Sequence, residues 1–203
     1  MISIKDNANI VLRGSWNLSI LNPTWFAKEF PELNIGKEIA VEMELNTQAL
    51  RFTVQNIIIN PNLDRLIFFS TTDDAKNYES VEKLAVDTVK KLPHTPIRGI
   101  GHNISYIVDG NFELFESEEL DKHEEFYKAA AKTIALNSQE IKHSLAYENF
   151  MLNLTYNINR QKNFVSFNFH YEVKSSEKIE EYLKDFRKNI EYSKTLYDKL
   201  LKK

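Results

Sequence analysis

The feature that most constrains the fold is a short internal repeat, in which two stretches about eighty-five residues apart read almost alike. The first stretch is Leu12-Arg13-Gly14-Ser15-Trp16-Asn17-Leu18-Ser19, and the second is Ile97-Arg98-Gly99-Ile100-Gly101-His102-Asn103-Ile104-Ser105. One inserted residue aligns the Arg-Gly pair, the Asn and the apolar-Ser step that follows. Because the same order of elements follows each stretch, the repeat predicts a protein built from two related halves.

Each half is predicted to contain a strand, a crossover helix, a three-strand meander and a closing helix. Alternating apolar residues indicate the meander strands, at 39–45, 50–58, 65–69, 141–147, 150–158 and 165–173. Asn22 and Pro23 predict the start of the first crossover helix, and Thr71-Thr72-Asp73-Asp74 offers a capping box for the first closing helix. Hairpin-length connections dominate, so the sheets are predicted to be antiparallel with helices packed on one face, in the α+β class.

The halves are predicted to cover residues 1–92 and 97–203 and to form one compact pseudo-dimeric domain. Only Leu92-Pro93-His94-Thr95-Pro96 joins them, which is too short for two independent domains to swing far. The order of strand, crossover, three-strand meander and helix resembles that of the subunit of the export chaperone SecB, doubled here. No motif carries this resemblance, which is one of topology alone.

The composition excludes several classes of protein. The net charge of −3 argues against a nucleic-acid partner, and the absence of cysteine excludes disulfides, thiolate metal sites and cysteine nucleophiles. No apolar run approaches the roughly 20 residues that span a bilayer, and the first residues lack the pattern of a signal peptide. High Asn, Ile and Lys content with only five Gly and five Pro indicates an AT-rich bacterial or phage genome. We therefore expect a cytoplasmic protein without a membrane partner.

His102 and His143 are the histidines most suited to a site, because each is predicted at an inward strand position among apolar neighbours. A buried imidazole needs a hydrogen-bond partner, so two of them on apolar faces are compatible with a ligand site. The favoured interpretation is structural, with each ring satisfied by a carbonyl or a tyrosine hydroxyl. No Asp or Glu lies at metal-ligand spacing beside either, so neither a metal nor a cofactor is predicted.

Arg13 and Arg98 occupy the same position of the repeat. The Arg98-Gly99-Ile100-Gly101 segment lacks the helix that must follow a phosphate-binding glycine loop, so the glycines are expected to admit a close neighbour, either a helix or the other half. The two arginines are predicted either to form salt bridges between the halves or to share an anion site.

One further strand face is uncharged and rich in amides, which is compatible with a polar ligand, an extended peptide or simple solvation. Its residues are Asn149, Met151, Asn153, Thr155, Asn157, Asn159, Ser166, Asn168 and His170.

The sequence favours a non-catalytic protein-binding or scaffold protein, because it shows no convergent catalytic set. Binding is expected through the sheet or through the long C-terminal helix, by self-association or with a protein partner. A helix from Ser176 to Lys203 would be about 42 Å long, and its apolar residues continue to Leu201, so its last turns need a cover. The other half is one possible cover and a partner is the other. The alternative function is a small-ligand binder or enzyme with a site at the junction of the halves, around His102, His143 and Arg98.

Overall fold

The fold is α+β, with one nine-stranded antiparallel sheet in the order β2-β3-β4-β5-β1-β6-β9-β8-β7. The computed structural model describes residues 8–33, 41–44, 49–108, 123–125, 137–159 and 162–201. The strands are β1 (Asn9–Gly14), β2 (Val41–Glu44), β3 (Ala49–Val54), β4 (Ile57–Pro61), β5 (Arg65–Ser70), β6 (Ile97–Val108), β7 (Ser138–Ala146), β8 (Met151–Asn159) and β9 (Asn163–Glu172). The helices are α1 (Pro23–Glu29), α2 (Ala75–Lys91), α3 (Ile179–Lys184) and α4 (Phe186–Leu201), with 3-10 turns at Pro31–Leu33 and Ser176–Lys178. Residues 123–125 add one helical turn.

The two repeat stretches lie side by side at the centre of the sheet. β1 and β6 pair antiparallel, with Arg13 opposite Gly99, and a register shift follows between Arg13 and Gly14. β1 pairs on its other side with β5, and β6 pairs with β9, so each repeat strand contacts the last strand of the meander that follows it. Strands from both predicted halves therefore belong to one sheet, while the symmetry between the halves stays a prediction.

The predicted three-strand meander of the first half is wrong, because the described residues contain four strands there. The segment expected to be one strand over 50–58 folds back between β3 and β4. Gln55 lies at this turn with φ of 53°, in the left-handed region that only a minority of non-glycine residues adopt. The turn between β3 and β4 was not predicted, because the apolar run Ile57-Ile58-Ile59 continues the alternating pattern of the residues before it. The second meander has the three strands predicted for it, β7 to β9.

The core lies between one face of the sheet and the helices. Seven buried residues form one row across this face, one from each of seven strands: Phe52, Ile59, Phe68, Ile10, His102, Phe169 and Leu152. The predicted helix starts are confirmed, because Asn22 accepts a hydrogen bond from the Trp25 amide at 3.0 Å and Asp74 accepts one from the Asn77 amide at 2.8 Å. Among the described residues, no helix combines the length and apolar character that crossing a membrane demands.

The end of the chain packs on the molecule's own sheet. The predicted long helix is divided, with α3 and α4 separated at Asp185. Near the end of α4, Tyr197 is only 6% exposed and donates a hydrogen bond to the carbonyl of Ile107 at 2.8 Å. Its ring lies 4.9 Å from that of Tyr106 on β6. Tyr197 is therefore covered by β6 of its own half, and neither by the other half nor by a partner, the two covers that were considered.

Gly14 is expected to tolerate no side chain, because the linker 92–96 between the predicted halves passes close to it. A Cβ built at Gly14 would lie 2.6 Å from the carbonyl oxygen of Pro96, the same oxygen that accepts a hydrogen bond from the Ser15 amide at 3.1 Å. We expect Gly14→Ala to lower the free energy of unfolding by about 1–3 kcal/mol, since backbone must shift to admit the methyl group. Urea unfolding measures this loss.

Gly101→Ala is the matched control for that measurement. The nearest atom to a Cβ at Gly101 is the side-chain nitrogen of Asn168 at 3.3 Å, which can move by a few tenths of an ångström. A smaller loss than that of Gly14→Ala is expected. Equal losses would contradict a special role for the contact with Pro96.

Candidate functional site

A cleft of about 810 Å³ lies at one end of the sheet, where β1 and β9 end, β6 begins and the β7–β8 hairpin turns. A volume of this size lies within the usual range of ligand pockets, roughly 300–1,000 Å³. The residues that line it come from both predicted halves: Arg13, Arg98, Gly99, Ala146, Tyr147, Glu148, Asn149, Phe150, Met151, His170, Glu172, Lys174 and Tyr182.

Arg13 and Arg98 both line this cleft. Arg13 lies opposite Gly99 in the β1–β6 register, so the two arginines come from neighbouring positions on adjacent strands. Both side chains are exposed. Within the part of the chain that the structure describes, neither guanidinium has an ion pair or hydrogen bond, so the predicted salt bridges between the halves are not formed there. Two unpaired guanidinium groups at one cleft are suited to bind an anion.

Gly99 and Gly101 admit side chains of the neighbouring strand β9. A Cβ at Gly99 would lie 3.3 Å from Cε1 of His170, and one at Gly101 would lie 3.3 Å from Nδ2 of Asn168. The close neighbour predicted for the glycines is therefore an adjacent strand of the same half rather than a helix. The missing side chain at Gly99 also leaves the cleft open between Arg13 and His170.

The opposite wall of the cleft is aromatic. Tyr147 and Phe150 flank the β7–β8 turn and stack with ring centroids 4.6 Å apart, and the Phe150 ring lies 5.5 Å from that of Tyr171. The hydroxyl groups of Tyr147 and Tyr192 are 2.9 Å apart, which ties the hairpin to α4. Met151, which also lines the cleft, is 43% exposed, whereas the exposed Leu145 lies opposite Leu152 on the other face of the sheet. The cleft thus joins a cationic side to an aromatic and apolar one.

His102 lies in the core, as its inward strand position predicted, and it is 0% exposed. Its Nδ1 accepts a hydrogen bond from Nδ2 of Asn189 at 2.9 Å, and the same Nδ2 donates to the hydroxyl of Tyr171 at 2.8 Å. A ring that accepts at Nδ1 carries its proton on Nε2, and that buried atom has no hydrogen-bond partner. Burial lowers the pKa of His102 to about 3, so the ring is neutral at neutral pH.

His143 lies on the inward face of its strand, opposite the buried Leu154, but it does not lie in the core, so only its predicted burial is wrong. It is exposed on β7, the edge strand of the sheet, with its ring 5.3 Å from that of Tyr156. β9 and β8 separate β6 from β7, which places His143 three strand spacings, about 14 Å, from His102. The structure therefore brings together Arg13 and Arg98 but not the two histidines.

An amide ladder crosses the sheet face opposite the described helices, on the amide-rich face that the sequence indicated. The Ser144 hydroxyl donates to Asn153 at 2.7 Å, and the Asn153 amide donates to Asn168 at 3.0 Å. Asn168 in turn donates to Asn103 at 2.7 Å, and Asn103 donates to Asn9 at 2.8 Å. These side chains hydrogen-bond to one another across five strands, so their orientations on the amide-rich face are fixed.

No cluster of three or more potential metal ligands occurs among the described residues. The sequence matches no protein-family model and has no significant match among curated proteins.

Proposed function

We propose that this protein is a non-catalytic binding protein that captures an acidic segment of a protein partner in the cleft. The observation that carries the proposal is the meeting of Arg13 and Arg98, both without a partner among the described residues, at an open cleft with an aromatic wall. Guanidinium groups bind carboxylates through two parallel hydrogen bonds, which makes arginine suited to acidic side chains.

The charges around the cleft support an anionic occupant. Lys174 already pairs with Glu172 at 3.5 Å, and both side chains are largely exposed, so this pair contributes little to stability. With that pair set aside, the lining holds two arginines and one further acid, Glu148, which leaves a net positive charge. Arg65 lies beside Arg13 on β5, but its guanidinium is 4.0 Å from Asp64 and so adds no net charge.

The aromatic and apolar side of the cleft supports a peptide rather than a small anion. A free inorganic anion would use the two guanidinium groups and leave the aromatic wall and the exposed Met151 without a role. An extended peptide that carries acidic and apolar side chains uses both walls. Edge aromatic residues such as Tyr147 are common anchors in protein interfaces.

The repeat accounts for the two arginines. We propose that the halves are copies of one unit, since each repeat strand pairs with the last strand of its own meander and supplies an arginine to the cleft. The two copies then meet along β1 and β6 and form the cleft together.

Replacing either arginine is expected to weaken binding of a labelled peptide of alternating glutamate and leucine. Arg13→Ala and Arg98→Ala should each raise the dissociation constant roughly tenfold or more, because a hydrogen bond to a charged group contributes about 1.5–3 kcal/mol. Fluorescence anisotropy of the peptide measures the change. Binding should also weaken with added salt, because the paired charges are exposed.

Arg51→Ala is the matched control, since Arg51 is an exposed arginine on β3 whose guanidinium lies 3.8 Å from Glu42. It should leave the dissociation constant unchanged. Equal loss in all three variants would mean non-specific attraction and would contradict the proposal. Inorganic phosphate that binds as tightly as the peptide would instead indicate a small-anion site.

A further inference from the structure

We propose that two copies of this chain pair through the outer edge of β7, so that their sheets join into one antiparallel sheet across a two-fold axis at Ile141. β7 is the last strand of the sheet, and its nine residues are almost all exposed. Among the described residues no strand pairs with its outer edge, although the His123 ring lies within hydrogen-bonding distance of the Gln139 side chain, at 3.0 Å. A long free edge with unpaired backbone groups is a template for another strand. The segment that would pair, residues 138–144, does not line the cleft, and the inference stands whether or not the cleft binds a peptide.

The backbone of β7 presents a regular row of donors and acceptors to its free side. The Tyr147 amide donates to the Phe150 carbonyl at 2.9 Å, which fixes a hydrogen-bonded pair at the turn of the hairpin. Hydrogen-bonded and non-hydrogen-bonded pairs alternate along an antiparallel ladder, so the odd-numbered residues of β7 bond to β8. The even-numbered residues therefore point their N–H and C=O groups outward, away from the sheet.

The sequence of this edge is complementary to itself in one register. Read in both directions from Ile141, the segment Ser138-Gln139-Glu140-Ile141-Lys142-His143-Ser144 places serine opposite serine, Gln139 opposite His143 and Glu140 opposite Lys142. Antiparallel pairing about Ile141 thus forms two reciprocal Glu–Lys pairs on one face and an Ile–Ile contact on the other. Opposite charges directly across two strands stabilise a sheet, as do paired hydroxyl groups.

The same charges disfavour the neighbouring registers. An axis at Lys142 would set the two lysines opposite each other, and an axis at Glu140 would do the same with the two glutamates. Like charges directly opposite destabilise a sheet. In the single chain, Glu140 and Lys142 pair with each other at 2.7 Å while remaining 49% and 68% exposed, so both are accessible to a second copy. The charge pattern therefore selects a second copy of this chain, centred on Ile141.

A charge swap tests the pairing and its register together. The wild-type chain should show a mass of twice 23.8 kDa by sedimentation equilibrium. Lys142→Glu and Glu140→Lys should each weaken dimerisation roughly tenfold, because both reciprocal pairs become like-charged. The double variant E140K/K142E should restore it. A wild-type chain that stays monomeric at its solubility limit would overturn the proposal, as would a double variant no better than the single ones.

A cysteine probe gives a second measurement that does not depend on affinity. The chain contains no cysteine, so any disulfide must join two introduced ones. Ile141→Cys places two Cα atoms about 4.5 Å apart at the axis, within disulfide range. Leu145→Cys, at another exposed position, places them about 27 Å apart. Mild oxidation should cross-link the first variant and not the second; equal cross-linking would contradict the register.

Discussion

Removing residues 193–203 is expected to unfold most of the protein rather than release a folded core. The deletion removes the buried Ser193, whose hydroxyl bonds to that of Tyr106 at 2.6 Å, and it removes Tyr197 from its place against Tyr106. Loss of one buried aromatic side chain costs about 3–5 kcal/mol. Native domains hold only about 5–15 kcal/mol of stability, so these losses together approach the total. Far-UV circular dichroism and urea unfolding measure the effect.

Point variants separate packing from hydrogen bonding at the same place. Tyr197→Ala should cost about 3–5 kcal/mol, whereas Tyr197→Phe, which loses only the bond to the Ile107 carbonyl, should cost about 1 kcal/mol. Tyr192→Ala serves as the control on the same helix, because its side chain is 36% exposed. A truncated chain with the wild-type unfolding midpoint would contradict the expected loss of stability. It would instead indicate that a partner covers the last turns of α4.

Signals that depend on a few neighbouring residues allowed correct predictions. The Asn22-Pro23 start of α1 and the Asp74 cap of α2 are local, because the side chain and the amides it satisfies lie within three residues. Alternation likewise placed β6, β8 and β9 and the inward face of His102. The β3–β4 turn was missed because Gln55 adopts its positive φ without the glycine or asparagine that would have marked it.

Alternation could not distinguish His102 from His143, although the two residues have similar neighbours in sequence. A period of two says which residues share a face, but it does not say where the strand lies in the sheet. β6 lies at the centre under α3 and α4, whereas β7 lies at the edge. That difference is set by pairing between strands far apart in the sequence, such as β6 with β9, whose partners Gly99 and Glu172 are 73 residues apart. The order of strands is a property of the whole chain.

The candidate site was also predicted only in part, for the same reason. The repeat predicted that Arg13 and Arg98 are equivalent, and the pairing of β1 with β6 brings them to one cleft. The aromatic wall was not predicted, because it depends on the β7–β8 hairpin packing across Tyr171 and α4. Each of those contacts joins distant parts of the chain.

The free energy of unfolding is expected to fall by about 1.4 kcal/mol for each pH unit below about 6.5 through His102 alone. In the folded protein, burial lowers the pKa of His102 to about 3. In the unfolded chain the ring titrates near its usual value of about 6.5. Between these two values the unfolded state binds a proton that the folded state does not, so acid favours unfolding. The loss levels off once the pH falls below the folded pKa.

Carboxylates also change stability in acid, so the effect of His102 is measured as a difference between variants. His102→Phe keeps a ring against Tyr171 and Phe186, whose centroids lie 5.4 and 5.3 Å from that of His102, and removes the titrating group. The variant should be less stable at neutral pH, because the Asn189 amide loses its acceptor there. Its stability should nevertheless fall less steeply from pH 6.5 to 4.5, by about 2 kcal/mol over the interval.

His143→Phe is the matched control, since His143 is exposed on the edge strand and should leave the pH dependence as it is in the wild type. Urea unfolding at a series of pH values gives the slope for each chain. Parallel slopes for the wild type and His102→Phe would mean that the ring is protonated in the folded protein. Protonation would add a proton at Nδ1, where the Asn189 amide already donates, so that amide would have to turn its oxygen toward the ring. The slope of the unfolding free energy with pH therefore measures whether the His102 ring stays neutral in the folded core.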